Sequence, residues 1–191
     1  MKPKKPKMVL FLNHPECSAQ CAVGMYEALS SHFDIDMFNV NQFKDKTFKK
    51  ADIIAFPGGI GDSDTFYKLV GNNLNYIQDA IANGKKYLGI CMGAYWAGNH
   101  YFDIVEDIKI TQYIKRTTSD VKRSYGTTVP ITWNDEEMDM YFYDGCTYVG
   151  DRSKFTTIAK YANNEPMAII QNNIGLIGCH PESMKSWYDS K

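Results

Sequence analysis

Lys86-Tyr87-Leu88-Gly89-Ile90-Cys91-Met92-Gly93-Ala94-Tyr95-Trp96-Ala97-Gly98 decides how the rest of the chain is read. A short, largely apolar run from Lys86 to Ile90 meets Cys91 and continues as a helical segment, the pattern of a buried strand entering a tight turn. Gly89 and Gly93 stand two residues to either side of Cys91. That is the spacing of a nucleophile elbow, where the reactive side chain sits on a strained strand-to-helix turn. Residues without Cβ let neighbouring chains approach closely there. A thiol at a helix N-terminus also meets the positive end of the helix dipole, which favours thiolate. Free cysteine is equally common as a small buried filler, so Gly-x-Cys-x-Gly alone leaves both readings open.

The far end of the chain shifts the balance. Ile174-Gly175-Leu176-Ile177-Gly178-Cys179 is a second short apolar strand, and it delivers His180-Pro181-Glu182 at its carboxyl end. An imidazole can take a thiol proton, and a carboxylate two residues on can hold the ring in the required tautomer. The same three residues also suit an ordinary helix start, with Pro181 at the first position and Glu182 in the first turn.

Gly89-Ile90-Cys91-Met92-Gly93, His180-Pro181-Glu182 and the upstream Pro57-Gly58-Gly59 together resemble the class I glutamine amidotransferase-like superfamily in order and approximate spacing. Phe56-Pro57-Gly58-Gly59-Ile60-Gly61-Asp62 with Gly84 to Tyr95 is similar, more narrowly, to the amidotransferase-like N-terminal domain of some biotin-protein ligases and to stand-alone relatives. The resemblance implies a catalytic set of Cys91, His180 and Glu182, and an oxyanion hole from the Gly58-Gly59 turn with the N–H of Met92. One position departs from the superfamily: four residues after the nucleophile, where glutamine usually helps hold substrate glutamine, this chain has Tyr95. Free glutamine is therefore expected to be poorly held.

With 191 residues, one domain with a sizeable core is expected, over 8–191, behind a flexible basic tail at 1–7. Hydrophobic residues at 44% and charged residues at 23% exclude wholesale disorder. A formal net charge of −1 gives no basic surface for nucleic acid. No apolar stretch approaches the roughly 20 residues of a membrane span, and the N-terminus lacks a signal-peptide pattern. The expectation is a cytoplasmic protein. Five cysteines, Cys17, Cys21, Cys91, Cys146 and Cys179, lack disulfide-framework spacing. Cys17 and Cys21 could share a helix face near His14, but tetrahedral zinc usually takes four close ligands; no metal and no cofactor are expected.

Taken in order, Met8 to Leu12 reads as a buried first strand, and Ser18 as the cap of a helix with a stripe of Ala22, Val23, Tyr26, Leu29 and Phe33. His14 follows the first strand, where open α/β sheets place ligand crevices, so it is a candidate pocket residue beside Tyr95; a loop histidine bonded within its own turn is the alternative. Ile35 to Val40 and Ala51 to Phe56 are the second and third strands. The Gly58-Gly59 turn is not a phosphate loop, because no Gly-Lys-Ser/Thr follows. Asp62 to Thr65 can cap a helix striped by Phe66, Leu69, Val70, Leu74, Ile77 and Ile81, ended by Gly84.

After Gly98 helical patterning gives way to strands, expected over 104–111, 127–133, 138–142, 156–161 and 167–171. Asp135-Glu136-Glu137 reads as a charged turn, and Trp133, Tyr141, Tyr143 and Tyr148 as core or sheet-face packing rather than a ligand surface. The fold expected is α/β, a flavodoxin-like three-layer sandwich. Its mostly parallel sheet carries an antiparallel section between nucleophile and histidine. Two functions follow: a cysteine amidotransferase or amidohydrolase acting on a small amide or acyl substrate, or a non-enzymatic binding module of the same fold. Either takes a small molecule, with a protein partner or a homo-oligomer left open.

Overall fold

Met8-Val9-Leu10-Phe11 has no polar side chain to turn toward water, and the structure buries this strand inside a parallel sheet. The computed structural model describes residues 4–189. Its strands are β1 (Lys7–Phe11), β2 (Asp34–Phe38), β3 (Ile53–Phe56), β4 (Lys86–Ile90), β5 (Ile108–Gln112), β6 (Thr127–Trp133), β7 (Glu136–Phe142), β8 (Cys146–Gly150), β9 (Thr156–Tyr161), β10 (Pro166–Gln171) and β11 (Ile174–Ile177). The helices are α1 (Ala19–Leu29), α2 (Asp45–Lys49), α3 (Ser63–Leu69), α4 (Asn75–Ala82), α5 (Met92–Trp96) and α6 (Lys185–Tyr188).

One nine-stranded sheet runs β2-β1-β3-β4-β11-β10-β9-β6-β7, and β5 pairs with β8 in a separate ribbon. From β2 to β11 every pairing is parallel; from β11 to β7 every pairing is antiparallel. The first five strands have the flavodoxin-like order, whose ligand crevice lies beyond the carboxyl ends of the strands. This is the α/β architecture expected from the sequence. β4 and β11 are neighbours, with Ile90 opposite Ile177, so the segments carrying Cys91 and His180 leave the sheet side by side although 89 residues separate them in the chain.

Several local expectations change. β1 starts at Lys7, whose ammonium pairs with Asp36 at 2.7 Å, and the Lys5 ammonium donates to the Ser30 carbonyl at 2.7 Å. Met1 to Pro3, at the start of the expected tail, lie outside the described residues. Ser18 caps α1, its hydroxyl accepting from the Cys21 N–H at 3.2 Å. The helix buries Cys21, Ala22 and Met25, however, leaving Val23 and Tyr26 exposed. The helix expected over 66–81 is two, because Gly71 takes φ +54° and breaks it between α3 and α4. β8 was not anticipated. Glu136 and Glu137 belong to β7, and the turn before it is Asn134-Asp135 alone, both at positive φ.

Two cores flank the seam. Around Phe56 the rings of Phe11, Phe38, Phe43, Tyr87, Trp96 and Phe102 all lie with centroids within 6.4 Å. Such pairs add about 0.5–1.5 kcal/mol each beyond area burial. On the antiparallel side Tyr113 stacks on Tyr161 at 3.7 Å, with Val129, Ile131 and Phe142 around them.

Candidate active site

The turn after β4 has little freedom. Cys91 sits at φ 48°, ψ −101°, a conformation that side-chain-bearing residues keep only where the surroundings over-determine it. Those surroundings are visible. A Cβ on Gly93 would stand 2.1 Å from the Phe56 carbonyl oxygen, and one on Gly89 would stand 2.4 Å from the Gly93 oxygen. The buried Tyr87 hydroxyl donates to Gly93 O at 2.6 Å, the Cys91 N–H to Ile177 O at 2.9 Å, and the Gly93 N–H to Pro57 O at 3.1 Å. The helix that follows has only five residues, so its dipole is smaller than the sequence suggested.

His180 is held from three sides. Its N–H donates to Tyr141 O at 2.9 Å, its carbonyl accepts from the Ser183 hydroxyl at 2.7 Å, and its ring packs edge-on to Tyr141 and Trp187. His180-Pro181-Glu182 is therefore a turn, and α6 begins only at Lys185, which corrects the helix-start alternative. The imidazole Nδ1 lies 2.9 Å from Glu182 Oε1. A carboxylate can only accept, so this contact places a proton on Nδ1. Burial works against the charged ring. The Cys91 sulfur opposes it, joined by hydrogen bonds with Cys21, Cys91 and Glu182, and together they hold the His180 pKa well above its ordinary 6.5.

These groups open on a cleft of about 1080 Å³. Its floor includes Cys91, Met92 and Gly59; its walls include Tyr95, Tyr101, Tyr141, Tyr143, Asp144 and Trp187. The Cys91 thiol donates to the Tyr143 carbonyl at 3.6 Å. Gly59 pairs with Cys17 in an isolated antiparallel bridge, flanked by bonds from Ser18 N–H to Gly58 O (3.0 Å) and from Ile60 N–H to Glu16 O (2.8 Å). The bridged pair's own N–H groups point away from such a ladder, and the N–H of Met92 has no intrahelical acceptor at its position. Gly58 lies behind the site: a Cβ there would stand 2.7 Å from His180 Cε1 and 2.8 Å from Cys21 Sγ.

Tyr95 borders the cleft, but its hydroxyl is committed, donating to Asp144 O at 3.0 Å. Burial raises the Tyr95 pKa far above its ordinary 10.0. Burial likewise raises the Asp144 carboxyl above 3.8, against the opposing effect of the Gln112 amide, which donates to both oxygens at 3.0 and 2.8 Å.

His14 does not join the site. It is exposed and absent from the cleft lining, because the chain turns at Pro15 before entering α1. The weak Cys17-Cys21-His14 idea also fails: Cys17 precedes the Ser18 cap and points its thiol at Phe11 O (3.5 Å), so it shares no helix face with Cys21. Among the described residues, the group with metal-ligand geometry is instead Cys21, His180 and Glu182. Sequence reasoning pointed to Cys21 only as a partner of Cys17 near His14, although the stripe Cys21-Met25-Leu29 places it on the buried face. It also assigned Tyr141 and Tyr143 to packing. Their alternation with fully buried Phe142 was the available signal that both face away from the antiparallel core.

Among the described residues no helix is long and apolar enough to cross a membrane. No curated protein matches the sequence. Among solved structures, PurLQS from Thermotoga maritima superposes with a TM-score of 0.66 at 15% identity, covering 93% of this chain and 88% of that one. A glutamine amidotransferase from the same organism gives 0.65 at 13%, covering 95% and 78%. Another glutamine amidotransferase gives 0.64 at 15%, covering 91% and 90%. At these identities the likeness concerns the fold. The family model for glutamine amidotransferase class-I matches residues 24–191, and the chain belongs to that family.

Proposed function

We propose that this chain is a cysteine-nucleophile acyl transferase or amidohydrolase acting on a small amide other than free glutamine. The observation that carries this reading is His180, buried at 4% exposure, with Nδ1 on Glu182, bordering the same cleft as Cys91 on its strained turn. Cys91 gives its proton to His180 and attacks the carbonyl carbon. The oxyanion is met by the N–H groups of Gly59 and Met92, with Gly58 keeping the ring close behind. The C–N bond then breaks, the amine leaves with the proton from His180, and a thioester remains on Cys91. Water or another nucleophile resolves the thioester and restores the thiol. Glu182 orients the ring throughout.

The substrate follows from Tyr95. With its hydroxyl tied to Asp144 O, Tyr95 offers the cleft ring carbon rather than polar groups for an amide side chain. A site that lacks a substrate's hydrogen-bond partners discriminates against it by ~10⁴ or more. The aromatic walls suit a flatter or more apolar substrate. A second reading draws on the same tyrosine: a closed glutamine pocket fits a non-enzymatic binding module related to the biotin-protein ligase N-terminal domain.

Reactivity mapping separates the two. Burial pushes the Cys17 and Cys179 thiols up to about 12, and raises Cys146 as well. Near neutral pH, Cys91 is expected to alkylate fastest of the five, and His180→Ala to slow it. Modification of Cys146 or Cys179 first, with Cys91 untouched, would overturn the catalytic reading. Robust ammonia release from glutamine, abolished by Cys91→Ala, would overturn the substrate assignment.

A further inference from the structure

We propose that Cys21 Sγ, His180 Nδ1 and a Glu182 carboxylate oxygen form a zinc-type cation site at the Nδ1 edge of the imidazole, and that a bound ion switches His180 off as a base. The second half of this inference rests on the role proposed for His180; the site itself does not.

One donor atom from each of the three residues lies within 4.8 Å of the others, and all three residues are buried. Sγ is 3.8 Å from Nδ1, and Nδ1 is 2.9 Å from Oε1. Tetrahedral zinc, with bonds of about 2.0–2.3 Å, holds its ligand atoms about 3.3–3.7 Å apart; the Sγ–Nδ1 separation is close to this, Nδ1–Oε1 must open slightly, and Sγ and the carboxylate, within 4.8 Å, must close around the ion. An independent observation points the same way: Glu182 Oε2 is buried without a hydrogen-bond partner among the described residues, on a side chain only 2% exposed. A buried carboxylate oxygen left unpaired is unusual, and a cation would satisfy it.

The scaffold is firm. α1 carries Cys21 and, one turn on, Gly24, whose added Cβ would stand 2.3 Å from the Glu182 carbonyl oxygen. Helix and turn are therefore packed backbone to backbone. Cys21 and His180 also border the cleft, from which a solvent molecule can supply a fourth ligand. Thiolate, imidazole and carboxylate together select zinc-like ions over magnesium or calcium, which take oxygen ligands.

Binding releases the thiol proton of Cys21 to solvent, and the ion displaces the single ring proton of His180 from Nδ1 to Nε2. The neutral ring then keeps its one proton on Nε2. That nitrogen can donate but cannot accept the thiol proton.

The test is titration of the full chain with Zn²⁺ against a chromophoric chelator, for the unmodified protein, Cys21→Ser, Cys21→Ala and Cys91→Ala. One tight equivalent is expected in the unmodified protein and in Cys91→Ala. Both Cys21 variants should lose more than the roughly 10–100-fold that outer-shell partners cost. With Co²⁺ as probe, a thiolate-to-cobalt absorption band should appear and be missing in both. Undiminished zinc affinity in the Cys21 variants, or its loss in Cys91→Ala, would overturn the site. Saturating zinc should slow iodoacetamide modification of Cys91 in the unmodified protein and not in Cys21→Ser; an unchanged rate with zinc bound would overturn the switch while leaving the site standing.

Discussion

Around Phe56, aromatic rings crowd against the strand that ends in Pro57-Gly58-Gly59 and against the turn that presents Cys91. Around Tyr161 the antiparallel half has a core of its own, but its contribution to the cleft is the segment leaving β7, where Tyr141, Tyr143 and Asp144 form a wall. The parallel half must hold a strained residue at φ 48°, and strain of this kind, on the order of 1–3 kcal/mol, survives only in rigid surroundings. The antiparallel half needs only to shape an opening. The strained turn and this stretch of wall thus come from regions with different structural demands.

The largest expected effect tests that division directly. Phe102→Ala removes a fully buried ring that meets Phe56, Phe66 and Tyr87. It should cost about 3–5 kcal/mol, a fall of roughly 6–20 °C in melting temperature for a chain of this size, and should slow Cys91 alkylation as the turn loosens. Ile131→Val in the other core should cost about 0.5–1.5 kcal/mol and leave Cys91 alkylation unchanged. Equal slowing in both variants would break the comparison.

A smaller effect concerns the wall. Tyr143 is 53% exposed and supplies Cys91 with a backbone carbonyl, which substitution leaves in place. For any amide substrate found by screening, Tyr143→Ala should raise KM by about tenfold, the loss of an aromatic contact of roughly 1–1.5 kcal/mol, with kcat little changed. A fall in kcat at constant KM would move Tyr143 from the wall into the chemistry.

The smallest effect is electrostatic. Burial raises the folded-state pKa of Asp144 above 3.8. Between the unfolded and folded values the folded chain therefore keeps a proton that the unfolded chain has lost, and stability falls as pH rises through that window. Asp144→Asn removes this term. Its melting temperature should gain on the unmodified protein as pH rises above about 4; parallel curves would mean that Gln112 fully compensates the buried charge.

Much of the fold was legible because its signals are local. The apolar run at Met8, the caps at Ser18 and Asp62, and β6 and β9 in full each depend on residues a few positions apart. The motifs around Cys91 and His180 were legible for the same reason: turn geometry fixes which residue types can stand there. Three features were not legible. The split at Gly71 depends on a backbone angle that a continuing apolar stripe conceals. β8 is short and finds its partner, β5, well back in the chain, with Ile108 opposite Gly150 and Gln112 opposite Cys146. The approach of Cys21 to His180 spans 159 positions.

Sequence by itself determined the strands β1 to β4, the turn at Cys91 and the pairing of His180 with Glu182, because each is set by steric rules acting within one or two elements. Tertiary structure alone decided that β11 lies beside β4, that Tyr95 spends its hydroxyl on Asp144 O, that His14 faces away, and that Cys21 reaches the Nδ1 edge of the imidazole. Those outcomes depend on how α1 docks and how the antiparallel strands fold back. Both are settled by close packing between segments far apart in the chain.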